Sequence, residues 1–105
     1  MKINFTQPIL DQNDEPVKEG PFVTLRSTCT SALFAQIQGD DGLDPFKRAE
    51  LGCLGMEIMK NDEINVTAED IAMIKARIGK IAPNLIVHRA FELLDPKAKP
   101  AALHA

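Results

Sequence analysis

The chain contains no tryptophan and no tyrosine, and phenylalanine supplies all five of its aromatic residues. A platform that stacks the bases of single-stranded nucleic acid needs exposed aromatic rings, so a platform of this kind is not expected. Basic residues are not in excess either, because the net charge is −3 and the pI is about 5.3. Proteins that follow a phosphate backbone normally carry a basic surface. Nucleic acid is therefore not the expected partner.

Cysteine and long apolar runs are also scarce. Cys29 and Cys53 stand alone, without a C-x-x-C pair or a histidine at metal-ligand spacing, and we interpret both as reduced thiols that pack as small apolar side chains. The N-terminal sequence Met-Lys-Ile-Asn-Phe-Thr-Gln-Pro lacks the apolar region of a signal peptide. No apolar run approaches the ~18 residues of a membrane span. These features predict a cytoplasmic protein that does not contact membranes.

Motifs for catalysis and metal binding are missing as well. The chain has no P-loop, no G-x-G-x-x-G, no G-x-S-x-G and no H-E-x-x-H. The acidic stretches 11–15 and 40–44 lack the ligand spacing of an EF-hand, so we interpret them as solvated loops and, at Asp44, as a helix cap. His88 has no partner acid or nucleophile in register. We therefore expect no enzymatic activity, no catalytic residue, no metal and no cofactor, and we identify no small-molecule substrate.

A complete helix signal is present at residues 66–81. Thr67 and Asp70 have the spacing of a shortened capping box. Four isoleucines then follow at intervals of three, four and three residues and share one helical face: Ile71, Ile74, Ile78 and Ile81. This pattern predicts a helix that packs against a core.

The first 26 residues have a different pattern. Polar and apolar residues alternate at 2–5, and a turn-rich segment follows at 11–16, which together predict a β-hairpin of two or three short strands. Three further helices are predicted after it: from Ser27 or Thr28 to about Ile37, from Asp44-Pro45 to about Lys60, and from about Pro83 or Asn84 to Leu94.

We therefore predict an α+β fold that is mainly α, with the short N-terminal β-hairpin packed on three to four helices. Residues 1–95 are expected to form one globular domain, made of the hairpin region 1–26 and the helical region 27–95. The last helix is apolar around much of its circumference and is expected to be the central element of the core. Residues 96–105 are rich in Lys, Ala and Pro and are expected to form a flexible tail.

Two glycines interrupt the predicted helix 44–60. Each glycine in a helix costs about 1 kcal/mol relative to alanine, and close approach of another backbone is the expected compensation. That backbone could belong to this chain or to a second chain. Methionines flank the apolar stripe of the same helix, and methionine suits adaptable contact surfaces. The candidate protein-contact residues are Gly52, Gly55, Met56 and Met59.

The order of segments resembles that of the short accessory proteins encoded by tailed bacteriophages and prophages. The segments that carry the resemblance are Leu-Asp-Gln-Asn-Asp-Glu-Pro-Val at 10–17, Lys-Arg-Ala-Glu-Leu at 47–51, Ile-Asn-Val-Thr-Ala-Glu-Asp-Ile at 64–71 and Arg-Ala-Phe-Glu-Leu-Leu at 89–94. The resemblance spans about residues 1–95 and includes no diagnostic motif. It implies a non-catalytic protein of the host cytoplasm, such as an assembly factor or a tail-assembly chaperone, with a protein partner or self-association.

The alternative function is that of a small nucleic-acid-associated regulator. Two successive helices joined near residues 82–83 are compatible with a helix-turn-helix, although the second helix is mostly apolar and a recognition helix presents polar side chains to the bases. The residues that would contact nucleic acid are Lys75, Arg77, Lys80 and Arg89.

Overall fold

The computed structural model describes residues 1–95, so the predicted tail at 96–105 lies outside the described residues. Strand β1 (Lys2–Asn4) is followed by helix α1 (Leu25–Phe34), helix α2 (Pro45–Lys60), strand β2 (Glu63–Asn65), helix α3 (Ala68–Ile81) and helix α4 (Asn84–Leu94). The predicted α+β class, mainly α with four helices, is confirmed.

The small antiparallel pair at the amino terminus is present, but its second strand is not within the first 26 residues. Strand β1 pairs with β2, and Ile3 lies opposite Ile64. The segment between β1 and α1 makes only two isolated bridges, from Pro8 to Thr24 and from Leu10 to Pro16. Because each bridge includes a proline, which has no amide donor, neither extends into a ladder.

Local capping signals determine where α2 and α3 begin. The Asp44 side chain accepts a hydrogen bond from the amide of Phe46, and Pro45 occupies the first turn of α2. Thr67 and Asp70 form the predicted capping box of α3. The predicted bounds of α2 are confirmed, and its C-terminal residue is Lys60.

Helix α1, rather than α4, lies at the centre of the helical packing. It contacts α2, α3 and α4, whereas α4 packs mainly on α3. Two of its threonines are buried because their hydroxyls donate to carbonyls one turn earlier: Thr28 to Thr24 and Thr30 to Arg26, both at 2.8 Å. A helix with such self-satisfied hydroxyls can face a core. The expectation that α4 is central is therefore wrong.

Helix α4 buries a single stripe, made of Ile86, Ala90 and Leu94. The core that α1 organises is completed by side chains from every element and from the N-terminal segment, including Phe5, Ile9, Leu33, Leu51, Ile58, Val66, Ile74 and Ile78.

Candidate contact surface on α2

The solvent-facing side of α2 carries large apolar side chains in its first and last turns, and exposed charged residues of the same helix stand among them. Phe46 is 80% exposed, Met56 is 46% exposed and Met59 is 51% exposed. The opposite side is buried in the core through Leu51, Gly55 and Ile58. Six uncharged residues lie on or beside the solvent side, where exposed Glu57 and Lys60 accompany them, and we call the six the outer face of α2: Phe46, Ala49, Gly52, Cys53, Met56 and Met59.

The two glycines of α2 have different environments. Gly55 is buried, and a Cβ atom added there would lie 2.5 Å from Cε1 of the Phe34 ring. The group that approaches Gly55 is therefore a side chain of α1 in the same chain and not the backbone that the sequence predicts. A Cβ atom added at Gly52 would have no atom of residues 1–95 within 4 Å. No contact in this part of the chain accounts for glycine at position 52, which belongs to the outer face.

Cys53 also lies on this face. Its thiol is exposed, so the expectation that it packs like Cys29 is wrong. Cys29 is buried as expected, and burial raises the pKa of its thiol to about 12.

A cavity of about 410 Å³ opens beside the outer face, where the C-terminal end of α1 meets the first half of α2. We call it the α1–α2 cleft. The Phe34 ring and Ala49 supply apolar wall, Gly52 leaves the wall open, and Arg48 is also in the lining. Charged groups from the 3-10 turn at Asp40–Gly42 and from α3 complete the lining.

The charged groups that complete the lining of the α1–α2 cleft are Asp40 and Arg77, and both side chains are buried. The Arg77 guanidinium donates to the Asp40 carboxylate at 2.9 and 3.1 Å, and to the carbonyls of Ala32 and Ala35 at 2.8 and 2.7 Å. It thereby satisfies carbonyls at the C-terminal end of α1, which have no intrahelical partner. The hydrogen bond from Arg77, followed by one from the Ile37 amide, lowers the pKa of Asp40 from 3.8 to about 2.

This pair corrects two predictions from the sequence. The sequence places Asp40 in a solvated acidic loop, and the alternative function uses Arg77 as a contact to nucleic acid. Both side chains are instead buried, because the unpaired carbonyls of α1 and the two opposite charges satisfy one another. Arg77 is thus not available for contact with nucleic acid.

The other residues of the nucleic-acid alternative do not form one free basic surface. Lys75 is half-buried, with Nζ 3.5 Å from Asp95 and 5.2 Å from the centre of the Phe91 ring. Arg89 donates to the carbonyl of Asp11 at 2.8 Å and to the carboxylate of Asp14 at 2.7 Å. Of the four, only Lys80 is exposed.

His88 is exposed on α4, and its Nε2 lies 3.0 Å from the Glu92 carboxylate one turn later, so the expectation that His88 has no acid in register is wrong. Within residues 1–95, no three His, Cys, Asp or Glu side chains are grouped so that they could hold a metal ion. No helix in this part of the chain has both the length and the apolar character needed to cross a bilayer.

The sequence prediction named the two methionines of the surface but missed Phe46, Arg48 and Phe34. A second apolar stripe could have been found, because Phe46, Ala49, Cys53 and Met56 repeat at intervals of three and four residues. No local signal places Phe34 over Gly55, since that contact joins two helices.

Comparison of the chain with protein-family models, with curated proteins and with solved structures finds no match. The function is therefore argued from this surface.

Proposed function

We propose that the protein is non-catalytic and acts by binding another protein through the outer face of α2. The observation that carries this proposal is that Phe46, Met56 and Met59 are exposed on a helix whose opposite side is already buried. Large apolar side chains exposed along one helix are found at interaction sites, and their removal from water favours association by about 25 cal/mol per Å². Methionine side chains adapt to the shape of a partner.

Within this class, we propose the role of a phage-type accessory protein, such as an assembly factor or a tail-assembly chaperone, in the host cytoplasm. The support is the resemblance in the order of segments, together with an exposed helix face of the kind that docks into a groove or against another helix. Either a different protein or a second copy of the chain could occupy the face.

The test is a Met56→Glu substitution, which places a charge at the centre of the outer face. The wild-type and variant proteins would be used to capture partners from a nuclease-treated lysate of the native host, and the captured proteins would be quantified by mass spectrometry. We expect a stoichiometric partner that is lost with Met56→Glu, while the helix content measured by circular dichroism is unchanged.

The matched control is Ala76→Glu, which adds the same charge at an exposed position on α3 and should retain the partner. Loss of helix content in Met56→Glu would show that the residue is structural, and the proposal would fail. Proteins that appear only when nuclease is omitted would favour the nucleic-acid alternative.

A further inference from the structure

The lining of the α1–α2 cleft carries one more positive charge than negative charge. Its lining contains two arginines and one carboxylate. The Asp40 carboxylate is fully engaged, because it accepts from Arg77 through both oxygens and from the Ile37 amide at 2.8 Å. Arg48 is exposed, and among residues 1–95 its guanidinium has no hydrogen bond, although its charge acts on the Asp40 carboxylate and helps to lower the pKa of Asp40. The guanidinium can therefore receive an anion without breaking a hydrogen bond.

The remaining wall of the cleft suits an apolar group. The Phe34 ring and Ala49 line it, and the missing side chain of Gly52 leaves space where any other residue would project. An apolar side chain lying over Gly52 would gain contact with the ring, and an aromatic side chain gains more from such a pair than the burial of its area alone. The free guanidinium and the apolar wall line one cavity, so one short segment can reach both.

We propose that the cleft binds a segment of the protein partner in which an aromatic side chain stands next to an acidic residue. The aromatic side chain would enter over Gly52, and the carboxylate would pair with Arg48, whose planar guanidinium can donate two parallel hydrogen bonds to it. This inference rests on the proposed function, because Ala49 and Gly52 belong to both the cleft and the outer face of α2.

The experiment follows amide ¹H–¹⁵N shifts of the protein during titration with blocked peptides. The probe is acetyl-Ala-Phe-Asp-amide, and the matched peptides replace Asp by Asn or Phe by Ala. We expect the probe to move the amides of Gln36 and Gly52, which line the cleft. Each matched peptide should bind about threefold more weakly, the effect of one exposed ion pair or one modest apolar contact.

Three variants locate the interaction. Arg48→Gln should remove the preference for Asp over Asn, whereas Lys60→Gln, at an exposed cation of α2 outside the cleft, should keep it. Gly52→Leu should block all three peptides, and since the space at Gly52 is open, its fold should be unchanged by circular dichroism. Equal binding of the Asp and Asn peptides, or shifts elsewhere only, would overturn the proposal. So would 3-phenylpropionate binding as tightly as the probe, which would assign the cleft to small acids.

The failure of this inference can be distinguished from that of the proposed function. A partner that is lost with Met56→Glu but fully retained with Arg48→Gln would overturn the assignment of the cleft and leave the proposed function standing. Amide shifts that are selective for the Asp peptide, in the absence of any captured partner that depends on Met56, would overturn the proposed function. The preference of the cleft for an aromatic and acidic segment would still stand.

Discussion

At the scale of single residues, the Asp40–Arg77 pair is the clearest source of pH-dependent stability. The pKa of Asp40 is about 2 in the folded protein, below its ordinary 3.8. A carboxyl group whose pKa is lowered by folding stabilises the fold fully above its unfolded pKa, and this contribution is lost as the pH falls towards the folded pKa. The contribution of Asp40 should therefore be complete above about pH 4 and disappear between about pH 4 and pH 2.

We predict that Asp40→Asn lowers the free energy of unfolding at pH 7 and flattens its dependence on pH between 4 and 2, because the buried guanidinium of Arg77 loses its counter-charge. Urea denaturation followed by circular dichroism at a series of pH values measures both effects. The control is Asp41→Asn, since the neighbouring Asp41 is exposed. If the two variants have the same pH dependence, Asp40 is not the group responsible.

The sequence could not have predicted this pair. Asp40 and Arg77 are 37 residues apart, and locally each looks like a solvated charge, one in an acidic loop and one on a basic helix. Their burial depends on the end of α1, where the carbonyls of Ala32 and Ala35 need donors. That requirement exists only once α1 and α3 are packed together, so no pattern within either segment contains it.

At the scale of the element, α2 has two glycines with opposite expected responses to substitution. Alanine is better than glycine in a helix by about 1 kcal/mol. Because Gly52 has open space at its Cβ position, we predict that Gly52→Ala raises the free energy of unfolding by nearly this amount. At Gly55 the added methyl group would displace the Phe34 ring, so Gly55→Ala should gain nothing or lose stability.

Chemical denaturation of the two variants against the wild type checks this prediction. Gly79→Ala, at an open helical position in α3, is the reference, because it should gain free energy of unfolding from helix propensity without any change in packing. Equal gains at positions 52 and 55 would contradict the packing of Phe34 on Gly55. A gain at 55 with increased exposure of the ring would show that Phe34 moves without cost.

The elements themselves were predictable to different degrees. Helices α2 and α3 each begin at a side-chain cap, and each cap bonds to a residue only two or three positions later. The local sequence therefore specifies where these helices begin. Helix α1 begins at Leu25, with Thr24 and Ser27 forming its capping box, earlier than the Ser27 or Thr28 expected. Its central position was missed because Ser and Thr residues resemble a surface pattern, whereas buried hydroxyls can bond to their own helix. The strand that pairs with β1 has only three residues. Three residues are too few for the alternation of apolar and polar side chains to identify a strand.

At the scale of the whole molecule, the amino terminus is joined to the connection between α2 and α3. The Phe5 amide donates to the carbonyl of Asp62 at 2.8 Å, and the amide of Val66 donates to the carbonyl of Met1 at 2.8 Å. Arg26 of α1 reaches the last turn of α2 through the carbonyl of Ile58 at 3.0 Å and the same connection through the carboxylate of Asp62 at 2.6 Å. The first strand, α1 and the end of α2 therefore depend on one another.

Phe5 is the side chain through which this dependence can be measured, because it is fully buried and follows β1 directly. We predict that Phe5→Ala lowers the free energy of unfolding by about 3–5 kcal/mol, the usual cost of removing a buried phenylalanine ring. The transition should remain a single cooperative step by circular dichroism and by amide signals from α4. If β1 were a separate unit, α4 would keep its wild-type transition.

The control is Phe46→Ala, which removes a ring that is 80% exposed and should change the free energy of unfolding by less than about 0.5 kcal/mol. A similar loss in both variants would mean that Phe5 is not the residue joining the amino terminus to the helical core.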